Sequence, residues 1–137
     1  MQIKNLNHAS LRTQNMEGMI DFYTRVLGFA PAFQKYTDQG AIRLALLHIA
    51  RGVFLELSLG EAGKDFERFH NHLCFEVESI HQTYQEITAL GLPVESPVKQ
   101  ATTGMLFFYT SDPDGNRVEL AELVEGSLPA IAGKEFV

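Results

Sequence analysis

From Asn7 to Arg12 polar and apolar residues alternate, Ala9 and Leu11 against His8, Ser10 and Arg12, which is the period of a half-buried strand. The period then lengthens. Met16, Met19, Ile20, Tyr23, Val26 and Leu27 recur at helical spacing, with Asn15 placed to cap the helix and Gly28 placed to end it in the left-handed region. A less regular strand near 29–36 follows, then strands near 41–49 and 53–59 around an Arg51-Gly52 turn. The order is β-α-β-β-β. The same order begins again with a strand at 71–77 and a helix carrying Ile80, Tyr84, Ile87 and Leu90. Strands near 92–98, 104–110 and 116–122 complete it, the last two joined by the turn signal Asp112-Pro113-Asp114-Gly115.

The two halves also align residue by residue. Asn7-His8 matches Asn71-His72 at an offset of 64. Leu27-Gly28-Phe29 matches Leu90-Gly91-Leu92, and Phe54-Leu55-Glu56-Leu57 falls on Arg117-Val118-Glu119-Leu120, both at an offset of 63. A His therefore opens each half and a Glu closes it. The expected fold class is α+β, two tandem βαβββ modules forming a cupped mixed sheet. Residues 1–123 form one domain, with module one over 3–60, module two over 70–123 and a Gly-rich, charged linker at 60–70. Residues 124–137 are a C-terminal tail, whose Ile131 and Phe136 either pack or remain disordered.

Strand alternation sorts the polar residues. His8, Ser10 and Arg12 share a face, as do Phe54, Glu56 and Ser58, while Leu55 and Leu57 turn toward the helix. In the second half His72, Cys74 and Glu76 share the equivalent face, as do Arg117, Glu119 and Ala121. A carboxylate on the concave face of a sheet is costly unless paired or metal-bound. Two His and two Glu make an N₂O₂ set suited to one divalent ion per site, Ni, Zn, Fe, Mn or Co, with positions left open for water or substrate. A lone strand His is ordinarily a hydrogen-bonded core or rim residue, and a lone strand Glu ordinarily faces water. Recurrence of the pair argues instead for ligation by His8, Glu56, His72 and Glu119. His70 shares the face of His72 but aligns with Leu6. His48 and His81 lack repeat partners and read as surface or rim residues, and Cys74 reads as a small wall residue. Either Met105, Phe107 and Tyr109 or Leu106 and Phe108 line the same wall.

Composition narrows the classes. At 137 residues with 45% apolar content, the chain can close a core without disulfide or structural metal. A formal charge of −6, from 11 Lys+Arg against 17 Asp+Glu, argues against general binding to nucleic acid or an acidic membrane. The single Cys, the absence of an apolar leader and the lack of any membrane-length apolar run give a cytoplasmic expectation.

Asn7-His8, the helix run Ile20-Asp21-Phe22-Tyr23-Thr24-Arg25-Val26-Leu27-Gly28-Phe29, Phe54-Leu55-Glu56-Leu57, His72-Leu73-Cys74-Phe75-Glu76-Val77 and Asp112-Pro113-Asp114-Gly115-Asn116-Arg117-Val118-Glu119-Leu120 together resemble the vicinal oxygen chelate (glyoxalase/bleomycin resistance/dioxygenase) superfamily over residues 3–123. The His-Glu-His-Glu order is similar to that of bacterial glyoxalase I. The resemblance implies a lyase or isomerase acting on the hemithioacetal of a 2-oxoaldehyde and a thiol such as glutathione, by proton transfer through an enediolate. It implies Glu119 or Glu56 as the catalytic base and Arg12 as an anchor for a substrate carboxylate. Lys99 is a second candidate anchor, in the loop between the sixth and seventh strands, where a plain solvated Lys is the alternative. Gly60 departs from the pattern, since the related enzymes tend to carry Asn there; glutathione as the thiol is the inference it weakens. The resemblance further implies a homodimer with sites at its interface and a small-molecule substrate. A non-catalytic antibiotic-binding protein of bleomycin-resistance type is the alternative, as is an epimerase or dioxygenase of the same superfamily.

Overall fold

The computed structural model describes residues 2, 6–61 and 72–134 of the 137. Most of the expected linker at 60–70, the competing His70, Asn71 and the tail residue Phe136 lie outside the described residues. The chain forms two compact units, Met1–Phe69 and His70–Val137.

In the first unit β1 (His8–Thr13) leads into α1 (Met16–Asp21), which continues as a π-helical turn over Phe22–Val26. The strands β2 (Ala30–Tyr36), β3 (Ile42–Ala50) and β4 (Val53–Leu59) follow. Their order in the sheet is β1-β4-β3-β2, with β1 parallel to β4 and the other pairs antiparallel. The Asn15 side chain caps α1 by accepting from the Gly18 N–H at 3.2 Å, and Gly28 takes φ 75° just beyond the helix. The sequence predicts one uninterrupted helix to Leu27, whereas the Leu27 N–H reaches back five residues to the Phe22 carbonyl. Inside that wide turn Thr24 Oγ1 donates to the Ile20 carbonyl at 2.6 Å, and Phe22 and Tyr23 are both buried. Leu55 and Leu57 are fully buried on the face that packs against α1. Each contributes roughly 1.5–3 kcal/mol by burial.

The second unit repeats the plan with β5 (His72–Glu76), α2 (Ile80–Ala89), β6 (Lys99–Gln100), β7 (Leu106–Ser111) and β8 (Arg117–Glu122) in the order β5-β8-β7-β6. The fold is thus α+β, with one four-stranded mixed sheet per unit. Asp112 holds the β7–β8 turn: its Oδ1 accepts from the N–H groups of Asp114 and Asn116, and its Oδ2 from the Asn116 amide. Phe108 is fully buried against the Tyr84 ring of α2, which assigns the alternating set Met105, Phe107 and Tyr109 to the opposite face.

Three expectations need revision. The strand placed at 92–98 is reduced to a single bridge, Val94 to Thr110, and the paired segment starts only at Lys99. Pro93 and Pro97 have no N–H to give a ladder there. Lys99 is consequently a strand residue opposite Phe107, not a loop residue. In the tail, Leu128–Lys134 forms a short helix, α3, with Leu128 and Ile131 exposed. Leu90, which the helical repeat placed with Ile80, Tyr84 and Ile87, is also exposed, as is Leu59 at the end of β4.

Candidate functional site

In the first unit the parallel pairing of β1 and β4 sets His8 opposite Phe54 and Ser10 opposite Glu56. Glu56 therefore stands one pleat along from His8, on the neighbouring strand and the same face. Ser10 Oγ donates to Glu56 Oε1 at 2.9 Å. His8 Nδ1 lies 2.6 Å from Asn7 Oδ1, and a proton on Nδ1 leaves the lone pair on Nε2. Arg12 continues the face opposite Ser58. A Cβ built on Gly60 would meet Arg12 Cδ at 3.7 Å, an ordinary contact, so the glycine leaves space beside the guanidinium that a side chain could occupy. His48 belongs to the hairpin end, where its Nε2 accepts from the Gly52 N–H and its ring meets Phe54 edge-on. His81 is an exposed residue of α2.

The second unit uses the same register. His72 stands opposite Arg117 and Cys74 opposite Glu119. Here the pair is closed: His72 Nε2 is 2.7 Å from Glu119 Oε2, and Glu119 is only 4% exposed. Tyr109 of β7 stands opposite Glu119 and meets the His72 ring edge-on, with centroids 5.4 Å apart. The Arg117 guanidinium lies 4.0 Å above the Tyr109 ring and makes a two-pronged pair with the Glu95 carboxylate, its Nε at 2.6 Å from Oε1. That pair holds the Glu95 carboxyl below its usual range. Burial first, and then the Glu119 charge, raises the Tyr109 hydroxyl. The same two causes, in the same order, push the Cys74 thiol up to about 11, which opposes a nucleophilic role. Lys99 acts electrostatically on Glu95, and its position at the start of β6 is exposed.

The structure thus brings His8 and Glu56 onto one face in the first unit and His72 against Glu119 in the second. Among the described residues no three His, Cys, Asp or Glu side chains gather into a metal-holding group. Each unit offers a pair. An imidazole nitrogen and a carboxylate oxygen 2.7 Å apart in the second unit are chemically suited to a divalent first-row ion, as is the combination of His8 and Glu56. Sequence reasoning missed Glu95 and the stacking of Arg117 on Tyr109. Arg117 shares a face with Glu119 and was open to notice; Glu95 lies in an irregular segment whose approach to β7 and β8 no periodicity announces.

Residues 5–120 match the family model described as the Glyoxalase/Bleomycin resistance protein/Dioxygenase superfamily. A protein of Vibrio cholerae described as a probable lactoylglutathione lyase is 30% identical over 123 residues, covering 84% of this chain and 88% of that protein. The lactoylglutathione lyase of Neisseria meningitidis serogroup A is 29% identical over 132 residues, covering 88% of this chain and 92% of that protein. Among solved structures, a glyoxalase family protein of Enterococcus faecalis superposes with a TM-score of 0.72 at 24% identity, over 89% of this chain and 100% of that one, a likeness of fold.

Proposed function

The chain belongs to the Glyoxalase/Bleomycin resistance protein/Dioxygenase superfamily, and from that membership we propose that it is a metal-dependent glyoxalase-like lyase acting on the hemithioacetal of a 2-oxoaldehyde and a thiol. The observation that carries the reading is the repeated register: in both units a His and a Glu occupy the same two positions on adjacent parallel strands. Folding alone does not require that pairing twice. The relatives described as lactoylglutathione lyases support the choice of reaction.

In this proposal His8, Glu56, His72 and Glu119 hold one divalent ion, Ni, Zn, Fe, Mn or Co. A bound ion would supply Lewis acidity to the substrate carbonyl chemistry. The chain's own residues do the remaining work. Glu119 or Glu56 takes a proton from one carbon and delivers it to the next. Asn7 fixes the His8 ring by its contact at Nδ1, and Tyr109 bears on the His72 ring. Arg12 holds a substrate carboxylate by a charge-assisted hydrogen bond. Lys99 is the lesser anchor, being engaged electrostatically with Glu95. We further propose a cytoplasmic homodimer whose sites draw one His/Glu pair from each chain, with no nucleic-acid or membrane partner. The charge of −6 supports the absence of nucleic acid. Among the described residues no helix is long and apolar enough to cross a membrane.

Reconstitution with Ni or Zn followed by elemental analysis tests the metal. One ion per His/Glu quartet is expected, and a metal-free protein after reconstitution would sink the proposal. The aromatic group of His72, Tyr109 and Phe107 favours a second reading, a non-catalytic binder of flat ligands. Tight aromatic-ligand binding that survives both Glu56→Gln and Glu119→Gln would select it.

A further inference from the structure

The two half-sites share a register but not their surroundings. Where the second unit has Arg117 beside the His, the first has Phe54; where the second has Tyr109 opposite the Glu, the first has Leu46. The second unit alone therefore places a cation and a phenol at these positions. They form a closed circuit. The Glu95 N–H donates to the Tyr109 carbonyl at 3.1 Å, and Thr110 Oγ1 donates to the Pro93 carbonyl at 2.7 Å, so the irregular segment is fastened to β7 by its backbone. The Glu95 carboxylate then grips both prongs of the Arg117 guanidinium. The guanidinium lies on the Tyr109 ring, and that ring meets His72.

We propose that Glu95 and Arg117 are positioning residues, a brace that fixes the Tyr109 ring and, through it, the orientation of the His72 imidazole. The proposal rests on His72 being a metal ligand only for its consequence, not for the brace itself. A guanidinium is planar and its fork matches a carboxylate, so a bidentate grip sets the plane in which it stacks on an aromatic face. Both side chains of the ion pair are partly exposed, and such pairs contribute little to global stability. What the pair contributes is direction. Outer partners of a ligating His govern ring orientation and basicity, and losing one typically costs about 10–100-fold in metal affinity.

The test uses the full chain and four proteins: wild type, Glu95→Ala, Arg117→Ala and the double variant. The first readout needs no metal, namely the ring-current shifts between His72 and Tyr109 in proton NMR. Each single variant is expected to collapse those shifts, the double variant to be no worse than the worse single one, and ethylguanidinium, but not ethylammonium, to restore them in Arg117→Ala. Thermal midpoints should change little, and zinc affinity should fall by roughly 10–100-fold in each variant. Unchanged ring shifts in either single variant, independent additive losses, or unchanged zinc affinity in variants of a zinc-binding protein would overturn the brace. A wild type that binds no zinc would reject the metal reading instead, and the ring shifts would still decide this one.

Discussion

Glu119 combines near-complete burial with a carboxylate 2.7 Å from the His72 imidazole and in hydrogen-bonding reach of the Cys74 thiol and the Tyr109 hydroxyl, and that combination gives the carboxylate its weight at the scale of single residues. A buried carboxylate must be paired, protonated or ligated. Glu119→Gln keeps the shape and removes the charge. Zinc or nickel affinity, measured by titration calorimetry, is expected to fall by more than the roughly 10–100-fold typical of losing an outer partner. Glu56→Gln should behave likewise, whereas an unchanged affinity in either variant would remove that residue from the ligand set. Cys74 makes a separate prediction. With its thiol raised to about 11, it should react with iodoacetamide far more slowly at pH 8 than an unfolded-chain cysteine. The sign for stability follows: between the ordinary thiol range and about 11 the unfolded chain gives up a proton that the folded chain keeps, so the Cys74 contribution to stability falls as pH rises through that window. Fast alkylation in the folded protein at pH 8 would contradict the raised value. The placement of His8 with Glu56 and of His72 with Glu119 on shared sheet faces was legible in sequence because strand alternation has period two and the pattern occurs twice. The Glu95–Arg117 pair was not, because it depends on a loop path that the sequence pattern leaves undetermined.

Elements were legible where one period and one punctuation mark agreed. β4 occupies the span its alternation predicts, and the Asn15 cap and the Asp112 turn bracket elements where those residues foretell them. Reading failed where local chemistry competes with periodicity. Pro93 and Pro97 break a strand whose hydrophobic pattern looked adequate, and a Thr24 hydroxyl bonded within the helix accompanies the change from α to π geometry. The β7–β8 turn offers the sharpest element-scale test. Asp112→Ala removes the acceptor of three hydrogen bonds, two of them from backbone N–H groups, and is expected to cost about 1–3 kcal/mol in urea denaturation. Asn15→Ala, which loses one capping bond, should cost about 1 kcal/mol. A loss at Asp112 no greater than at Asn15 would mean that the turn is held by something other than its carboxylate.

For the molecule as a whole, duplication is the organising fact. The offset of 63 to 64 residues in the sequence reappears as two sheets with the same strand order and the same His-to-Glu register. Each unit has its own buried core, Leu55 and Leu57 in one, Phe108 and Leu120 in the other, and from these cores a fold that stands without metal is expected. Metal removal by a chelator should accordingly leave the far-ultraviolet circular dichroism intact while abolishing activity; unfolding on chelation would contradict that division. The central claim, a metal-dependent glyoxalase-like lyase, is tested most directly by following conversion of the methylglyoxal hemithioacetal by nickel- or zinc-loaded protein, with glutathione and alternative thiols, beside Glu56→Gln and Glu119→Gln. Turnover by the wild type with at least one thiol, and its loss in both variants, is expected. Absence of turnover with every thiol, or turnover that both substitutions leave unchanged, would contradict it.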